Sequence, residues 1–384
     1  MRVLADQYLY RVREQIPEQF KVDLFDPHNG FPDEAPDYDA LLVRTVTTVT
    51  PQTMPEAGNL RFVATATAGF DHIDRHHLKS IGVHFAHAEG CNANAVAEYV
   101  ITVILCWAEQ QGIDLRSKKI GIAGCGNTGG RAAGYLKRLG LEVFLYDPPK
   151  QNREKDFVSC SLDELLSCNV ISFHTPLTDS GICPTRGMCS KRWLETGWDL
   201  LINTSRGGVV NEEELILAHE RGDVKTMVTD VWEGEPQFRD ELATRSLICT
   251  PHIAGYSAES KWLATKMVAD QLAWFFDVPL SGAVVERGEM MAGKQREKLA
   301  ALLSGDTRRS GSVLWTLTPI ADYDRELRSL IGRSGTDKKR LFSSLRSETP
   351  LRSEFKTLFA EFAGDRSIPE IGKLFIHETC SVNL

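Results

Sequence analysis

A chain of 384 residues that is 42% hydrophobic and 25% charged has the make-up of a soluble globular protein of two or three domains. Its net charge of −8 argues against nucleic acid or an anionic membrane as partner, and its longest apolar stretch, near Val100 to Trp107, is too short to span a bilayer. Nine cysteines without CxxC spacing predict reduced thiols and a cytoplasmic location, and Met1–Asp6 reads as a strand rather than a signal peptide. In chain order, short apolar runs predict strands at Val3–Leu4, Val22–Phe25, Ala40–Val43, Phe62–Thr65 and Val83–Ala86. Helix-like segments lie between them, such as Asp71–Ser80, which Gly82 closes. Strand and helix alternate, which predicts an α/β layer. A helical stretch from Ala93 to about Gln110 follows.

The next unit carries the first chemical signal. The strand Ile120–Ala123 runs into Gly124-Cys125-Gly126-Asn127-Thr128-Gly129, a helix-like run Arg131–Leu139 leaves it, and a second strand, Val143–Tyr146, ends on Asp147. Strand, glycine turn, helix, strand and acid, in that order, form a dinucleotide-binding βαβ unit. Gly124 permits the tight turn, Gly126 lets backbone approach the pyrophosphate, and Gly129 allows close helix–strand packing. The helix N-terminus offers N–H groups to the phosphates. Asp147 can accept from the ribose hydroxyls, and it would repel the extra phosphate of NADP by up to ~4 kcal/mol at an effective dielectric near 20. NAD is therefore the expected cofactor. Cys125 reads as a small buried filler, with an oxidation-sensitive thiol as the alternative.

Downstream, Ser161-Leu162-Asp163-Glu164 is a capping box, and Asn211 caps a helix Glu212–Arg221. Val170–Phe173, Leu200–Asn203, Val224–Val231 and Leu247–Cys249 read as buried parallel strands. Three motifs stand at strand ends, where open α/β sheets place their ligands: Asn203-Thr204-Ser205-Arg206-Gly207-Gly208, Asp230-Val231-Trp232-Glu233-Gly234-Glu235-Pro236 and Thr250-Pro251-His252-Ile253-Ala254-Gly255-Tyr256. Arg206 can present a planar fork to a carboxylate. Removing a hydride from a secondary alcohol needs a base for the hydroxyl proton, and His252 fits that role. Glu235 fits the carboxylate that fixes the imidazole tautomer. No metal site is expected.

A long helix from about Ala258 to Phe276 can return the chain to the first domain. Beyond Gly282 the character changes: residues 281–384 carry a net charge of +3, against −11 for residues 1–280. Interrupted helices are expected at Asp322–Ile331, Lys338–Leu345 and Glu354–Phe362, in a third small module or, alternatively, a partly disordered basic tail.

The order of glycine fingerprint, Arg-Gly, Glu-Pro and His resembles the D-2-hydroxyacid dehydrogenase superfamily. Thr65-Ala66-Thr67-Ala68-Gly69, Asp147-Pro148-Pro149 and His252-Ile253-Ala254-Gly255-Tyr256 resemble one branch of it that acts on a small phosphorylated 2-hydroxy acid. The likeness runs over residues 1 to about 280. It implies two Rossmann/flavodoxin-like, doubly wound parallel-sheet domains plus a small C-terminal α+β dimerisation module. The boundaries would be 1–93 (substrate, or lid, domain, completed by 258–280), 94–257 (NAD-binding domain) and 285–384 (the dimerisation module of a homodimer). It implies that Arg206, Glu235 and His252 are catalytic. Asn127, Thr128, Asp147, Thr175, Thr204, Ser205, Asp230 and Gly255 would contact NAD beside the fingerprint glycines. Thr45, Thr67 and Tyr256 would contact substrate.

Arg44, beside Thr45 and Thr47 at a strand end, reads as a phosphate pocket or as an ion pair. Arg346 of the C-terminal module, from a partner chain, could assist. His72, His76 and His77 read as a solvated helix face, His84 and His87 as strand-surface residues, and Lys338-Lys339-Arg340 as a solvated face. Another member, acting for example on 3-phosphoglycerate, and a non-catalytic NAD-sensing scaffold both stay open.

Overall fold

The computed structural model describes residues 1–282, 293–304, 309–348, 350–362 and 368–376. The chain divides into two compact units, Met1–Asn92 with the segment from Ser257, and Ala93–Tyr256 with the described residues after 292. No helix among the described residues is long and apolar enough to cross a membrane.

The first unit is built on five parallel strands: β1 (Arg2–Asp6), β2 (Lys21–Phe25), β3 (Ala40–Val43), β4 (Phe62–Thr65) and β5 (His84–His87), in the order β2-β1-β3-β4-β5. Side chains alternate between the faces of a strand, so a sheet covered on both sides needs continuous apolar runs. Ala40, Leu42, Phe62 and Ala64 face one core, with Ala264, Val268 and Leu272 of the helix Ala258–Phe275. Leu41, Val43 and Val63 face the other, with Met54 and Leu78. The long helix belongs to the first unit.

The second unit holds six parallel strands: β6 (Lys119–Ala123), β7 (Glu142–Tyr146), β8 (Val170–Phe173), β9 (Leu200–Asn203), β10 (Met227–Thr229) and β11 (Ile248–Cys249), in the order β11-β10-β9-β8-β6-β7. Strand order reverses between β6 and β8, which opens the crevice where such sheets bind ligands. The capping box at Ser161 and the Asn211 cap both form, the latter at Glu214 N, 3.0 Å away.

Past residue 292 the described residues form six helices, in place of a mixed α+β module, and they join the second unit's core. Leu314 and Leu317 in the helix Ser310–Leu317, and Ile320, Tyr323 and Leu327 in the helix Ile320–Arg328, recur at three- and four-residue steps, the period of an apolar helical stripe. Leu314, Leu317 and Tyr323 pack with Tyr99, Val103 and Ile120, and Leu327 and Phe342 pack with Trp232. The basic residues that suggested a tail lie between these buried positions. Lys338 is a correction to the solvated-face reading: it is buried, and its Nζ donates to the Phe238 carbonyl at 2.8 Å and to Asp240 at 2.5 Å.

Candidate active site

The fingerprint turn follows directly from β6. Gly124 has φ 88°, and a Cβ on Gly129 would fall 1.9 Å from the Gly124 carbonyl oxygen, so only glycine lets the helix Asn127–Arg138 pack this tightly. A Cβ on Gly126 would meet nothing within 4 Å. The turn therefore leaves an open face in front of the helix N-terminus, where Asn127 and Thr128 begin the first turn. A dinucleotide fits this cradle. Asp147 stands where expected, at the end of β7, and it also holds the turn: Oδ2 accepts from Cys125 N at 2.8 Å and Oδ1 from Lys150 N at 2.9 Å. Cys125 is a buried filler whose thiol burial pushes up to about 12. Thr175 lies against Gly124, whose added Cβ would come 2.9 Å from the Thr175 methyl.

His174 is buried beneath the same turn. Its Nε2 pairs with Ser172 Oγ at 2.9 Å, and burial pushes the imidazole down to about 4. An unfolded histidine titrates near ~6.5, so as pH falls toward 4 the unfolded chain takes up a proton that the folded chain refuses. The stability contribution is complete above ~6.5 and is lost as pH falls through that window. Between pH 7 and pH 5, wild type is expected to lose about 2 kcal/mol more than a His174→Gln variant, at ~1.36 kcal/mol per unit. Urea melts of both proteins at the two pH values check this; parallel losses would sink it.

At the end of β9, Asn203 Oδ1 accepts from Ser205 N at 3.1 Å and from Ser205 Oγ at 2.7 Å, an Asx-type turn that presents Arg206. Arg206 is half-buried and donates to the Ser205 carbonyl at 2.8 Å. A Cβ on Gly207 would lie 1.9 Å from the Trp232 carbonyl oxygen, so this loop meets the 230–236 loop backbone to backbone. Thr204 Oγ1 is buried with no hydrogen-bond partner among the described residues.

The 230–236 and 250–256 loops close on each other around Asp230, which is buried. Its Oδ1 accepts from Thr250 Oγ1 at 2.6 Å and Ile253 N at 2.8 Å, and its Oδ2 accepts from Ala254 N at 3.0 Å. His252 between them has φ 57°, a left-handed conformation that costs a non-glycine residue, and its N–H donates to the Asp230 carbonyl at 2.7 Å. Asp230 therefore over-determines a strained loop, and both its oxygens are committed to that loop. In this conformation the imidazole Nδ1 meets Glu235 Oε1 at 2.5 Å. Burial pushes the Glu235 carboxyl up, yet His252 and Arg346 together hold it below the usual range. An ionised Glu235 fixes the Nδ1–H tautomer and leaves Nε2 as the basic nitrogen.

Several residues around this pair carried no local signal. Tyr99 pairs with Thr250 Oγ1 at 2.9 Å, Asp324 accepts from Cys249 N at 2.7 Å, and buried Glu212 accepts from Glu233 N at 2.7 Å. Arg346 lies over the Tyr256 ring of its own chain, 5.7 Å from its centroid. In each case the partner comes from a distant element, so no spacing in the sequence announces it.

In the first unit, Arg44 and Thr45 follow β3 and Thr67 follows β4, neighbouring strands whose C-terminal ends share one edge. Arg44 Nε pairs with buried Asp6 at 2.8 Å, which is the ion-pair reading. Thr47 Oγ1 is buried with no partner among the described residues. Thr67 Oγ1 donates to the Gly69 carbonyl at 2.6 Å and meets Thr65 Oγ1 at 2.8 Å, which in turn meets His72 Nε2 at 2.9 Å. His72 and His77, the latter bound through Nε2 to the Met54 carbonyl at 2.7 Å, are thus packed and bonded rather than a solvated face.

The family model for the D-isomer specific 2-hydroxyacid dehydrogenase, NAD binding domain, matches residues 104–254. Over 340 residues the chain is 39% identical to the erythronate-4-phosphate dehydrogenase of Marinobacter nauticus, a match spanning 87% of each chain. It is 36% identical over 384 residues to the protein of the same name from Pseudomonas paraeruginosa, covering 97% of this chain and 98% of that one. The crystal structure of D-lactate dehydrogenase from Aquifex aeolicus, complexed with NAD and lactic acid, matches with a TM-score of 0.58 at 24% identity, over 72% of this chain and 96% of its own, a likeness of fold alone.

Proposed function

This chain belongs to the erythronate-4-phosphate dehydrogenases, within the D-2-hydroxyacid dehydrogenases, and we propose that it oxidises 4-phospho-D-erythronate to (R)-3-hydroxy-2-oxo-4-phosphobutanoate in the biosynthesis of pyridoxal 5'-phosphate, vitamin B6. The observation that carries the assignment of roles is the His252–Glu235 pair, fixed by Asp230 in a loop that packs against the Arg206 turn.

The Arg206 guanidinium holds the substrate carboxylate and polarises the oxygen at C2. His252 Nε2 takes the C2 hydroxyl proton, and Glu235 supports the imidazolium through Nδ1–H. NAD, when bound, supplies the acceptor for the C2 hydride. The fingerprint glycines with Asn127, Thr128, Asp147, Thr175, Thr204, Ser205, Asp230 and Gly255 would hold it, Asp230 through the shape of its loop rather than a free carboxylate oxygen. Thr45, Thr67 and Tyr256 contact substrate, and Arg44 contributes with its fork nitrogens, its Nε being taken by Asp6. In this reading residues 1–93 with 258–280 form the substrate domain and 94–257 the NAD-binding domain. The enzyme works as a homodimer in the cytoplasm, with residues 285–384 at the dimer contact.

A panel of 2-hydroxy acids with and without a 4-phosphate, followed by NADH absorbance, tests the assignment. Turnover with 4-phosphoerythronate is expected to exceed that with erythronate and with 3-phosphoglycerate by at least ~10-fold in kcat/KM, the value of one good charge-assisted contact. Preference for 3-phosphoglycerate would move the chain to another branch. No turnover with any acid, together with intact NADH binding, would make it a nucleotide-holding scaffold.

A further inference from the structure

The helix Gly335–Glu348 places Lys338, Phe342 and Arg346 at steps of four, on one face. That face is turned on the loops of the active site. Lys338 Nζ takes the Phe238 carbonyl, and Phe342 packs on Phe238 with ring centroids 6.1 Å apart. One turn further on, Arg346 reaches Tyr256, its guanidinium 5.7 Å from the ring centroid. Its Nε is buried without a hydrogen-bond partner among the described residues, and so is Oε2 of Glu235. The guanidinium bonds to Tyr256, but a buried Nε left unpaired is costly, so its place here calls for a reason.

We infer that Arg346 is a positioning residue for the reaction, holding the Glu235–His252 pair and the Tyr256 ring from the C-terminal helix of the same chain. The inference rests on the dehydrogenase reading above. The charged and titratable groups facing this corner are Glu235, His252, Asp230, Tyr256 and Arg346. Burial raises the Glu235 carboxyl, and the Arg346 charge acts with His252 to bring it down. Removing it should therefore raise the Glu235 carboxyl. The C-terminal segment, on this account, does more than make a dimer contact: it completes the active site in cis.

The test compares Arg346→Gln, which keeps polar atoms in the buried site, with Arg346→Lys, which keeps the charge. For each, the pH profile of kcat/KM for 4-phosphoerythronate oxidation is measured, with NADH binding by tryptophan fluorescence as a check of folding. Glu235 must be ionised to hold the imidazole, so activity falls on the acid side. In Arg346→Gln the acid limb is expected to move up by about one pH unit, and in Arg346→Lys to stay within a few tenths of wild type. NADH binding should change less than about threefold in both, since Arg346 acts on Glu235 and Tyr256. An unmoved acid limb in Arg346→Gln overturns the inference. So does a rise in KM for 4-phosphoerythronate but not erythronate with the limb in place, which would make Arg346 a ligand of the phosphate. If Arg346→Gln fails to fold, Arg346→Lys decides alone: a limb shifted as far as one unit would show that the charge is not what matters. Failure of the dehydrogenase reading would look different, as wild type itself would not turn over.

Discussion

Replacing His252 with alanine is expected to lower kcat/KM for 4-phosphoerythronate oxidation by at least ~10²-fold while NADH binding persists. The structure aligns the imidazole with a carboxylate partner, with Nδ1 tied to Glu235 at 2.5 Å. Without it the C2 hydroxyl proton has no acceptor better than water, and hydride loss from a neutral alcohol is slow. Backbone strain must be separated from chemistry, because position 252 has φ 57°. Asparagine tolerates that region better than alanine, so His252→Asn is the matched control. Both variants should lose activity alike if proton transfer is what the residue supplies. The measurement is kcat/KM by NADH absorbance beside an NADH titration. Undiminished turnover in His252→Asn would remove His252 from the mechanism.

The parts of the fold that could be read from the sequence are those specified locally. Ala40–Val43, Phe62–Thr65, Val170–Phe173 and Leu200–Asn203 form as expected, because a strand buried on both faces must be apolar throughout. The fingerprint was equally legible, since Gly129 answers to one backbone contact and Asp147 to one strand end. Arg206, Glu235 and His252 lie in loops that follow strands, and the roles proposed for them start from that placement. What could not be read depends on residues far apart in the chain. Arg44 and Asp6 meet across 38 residues, and nothing near either distinguishes an ion pair from a phosphate ligand. Beyond residue 282 the charge pattern suggested a separate module, whereas Leu314, Leu317 and Phe359 share a core with Ile120. Helical periodicity locates such a stripe without saying which core it enters. The face formed by Lys338, Phe342 and Arg346 was hidden for the same reason.

Asp230→Ala is expected to cost about 3–5 kcal/mol of stability and to lower kcat/KM by ~10²-fold or more, although Asp230 performs no proton transfer. Its carboxylate accepts from Thr250 Oγ1, Ile253 N and Ala254 N, and all three donors are buried. Each donor left unpaired costs ~1–3 kcal/mol, and the left-handed backbone at His252 loses the bonds that hold it in place. Burial raises the Asp230 carboxyl, against which the His252 charge and these three donors act, so the ionised form depends on the whole arrangement. Asp230→Asn keeps one acceptor oxygen but turns an amide N–H₂ toward a donor. It should therefore fall between wild type and Asp230→Ala in a urea melt. The kinetic test is a double-mutant cycle. If Asp230 acts by placing His252, the pair of substitutions Asp230→Ala and His252→Ala should lose little more activity than His252→Ala alone. Two losses that multiply would instead give Asp230 a part in the chemistry independent of the imidazole, such as a contact with the cofactor.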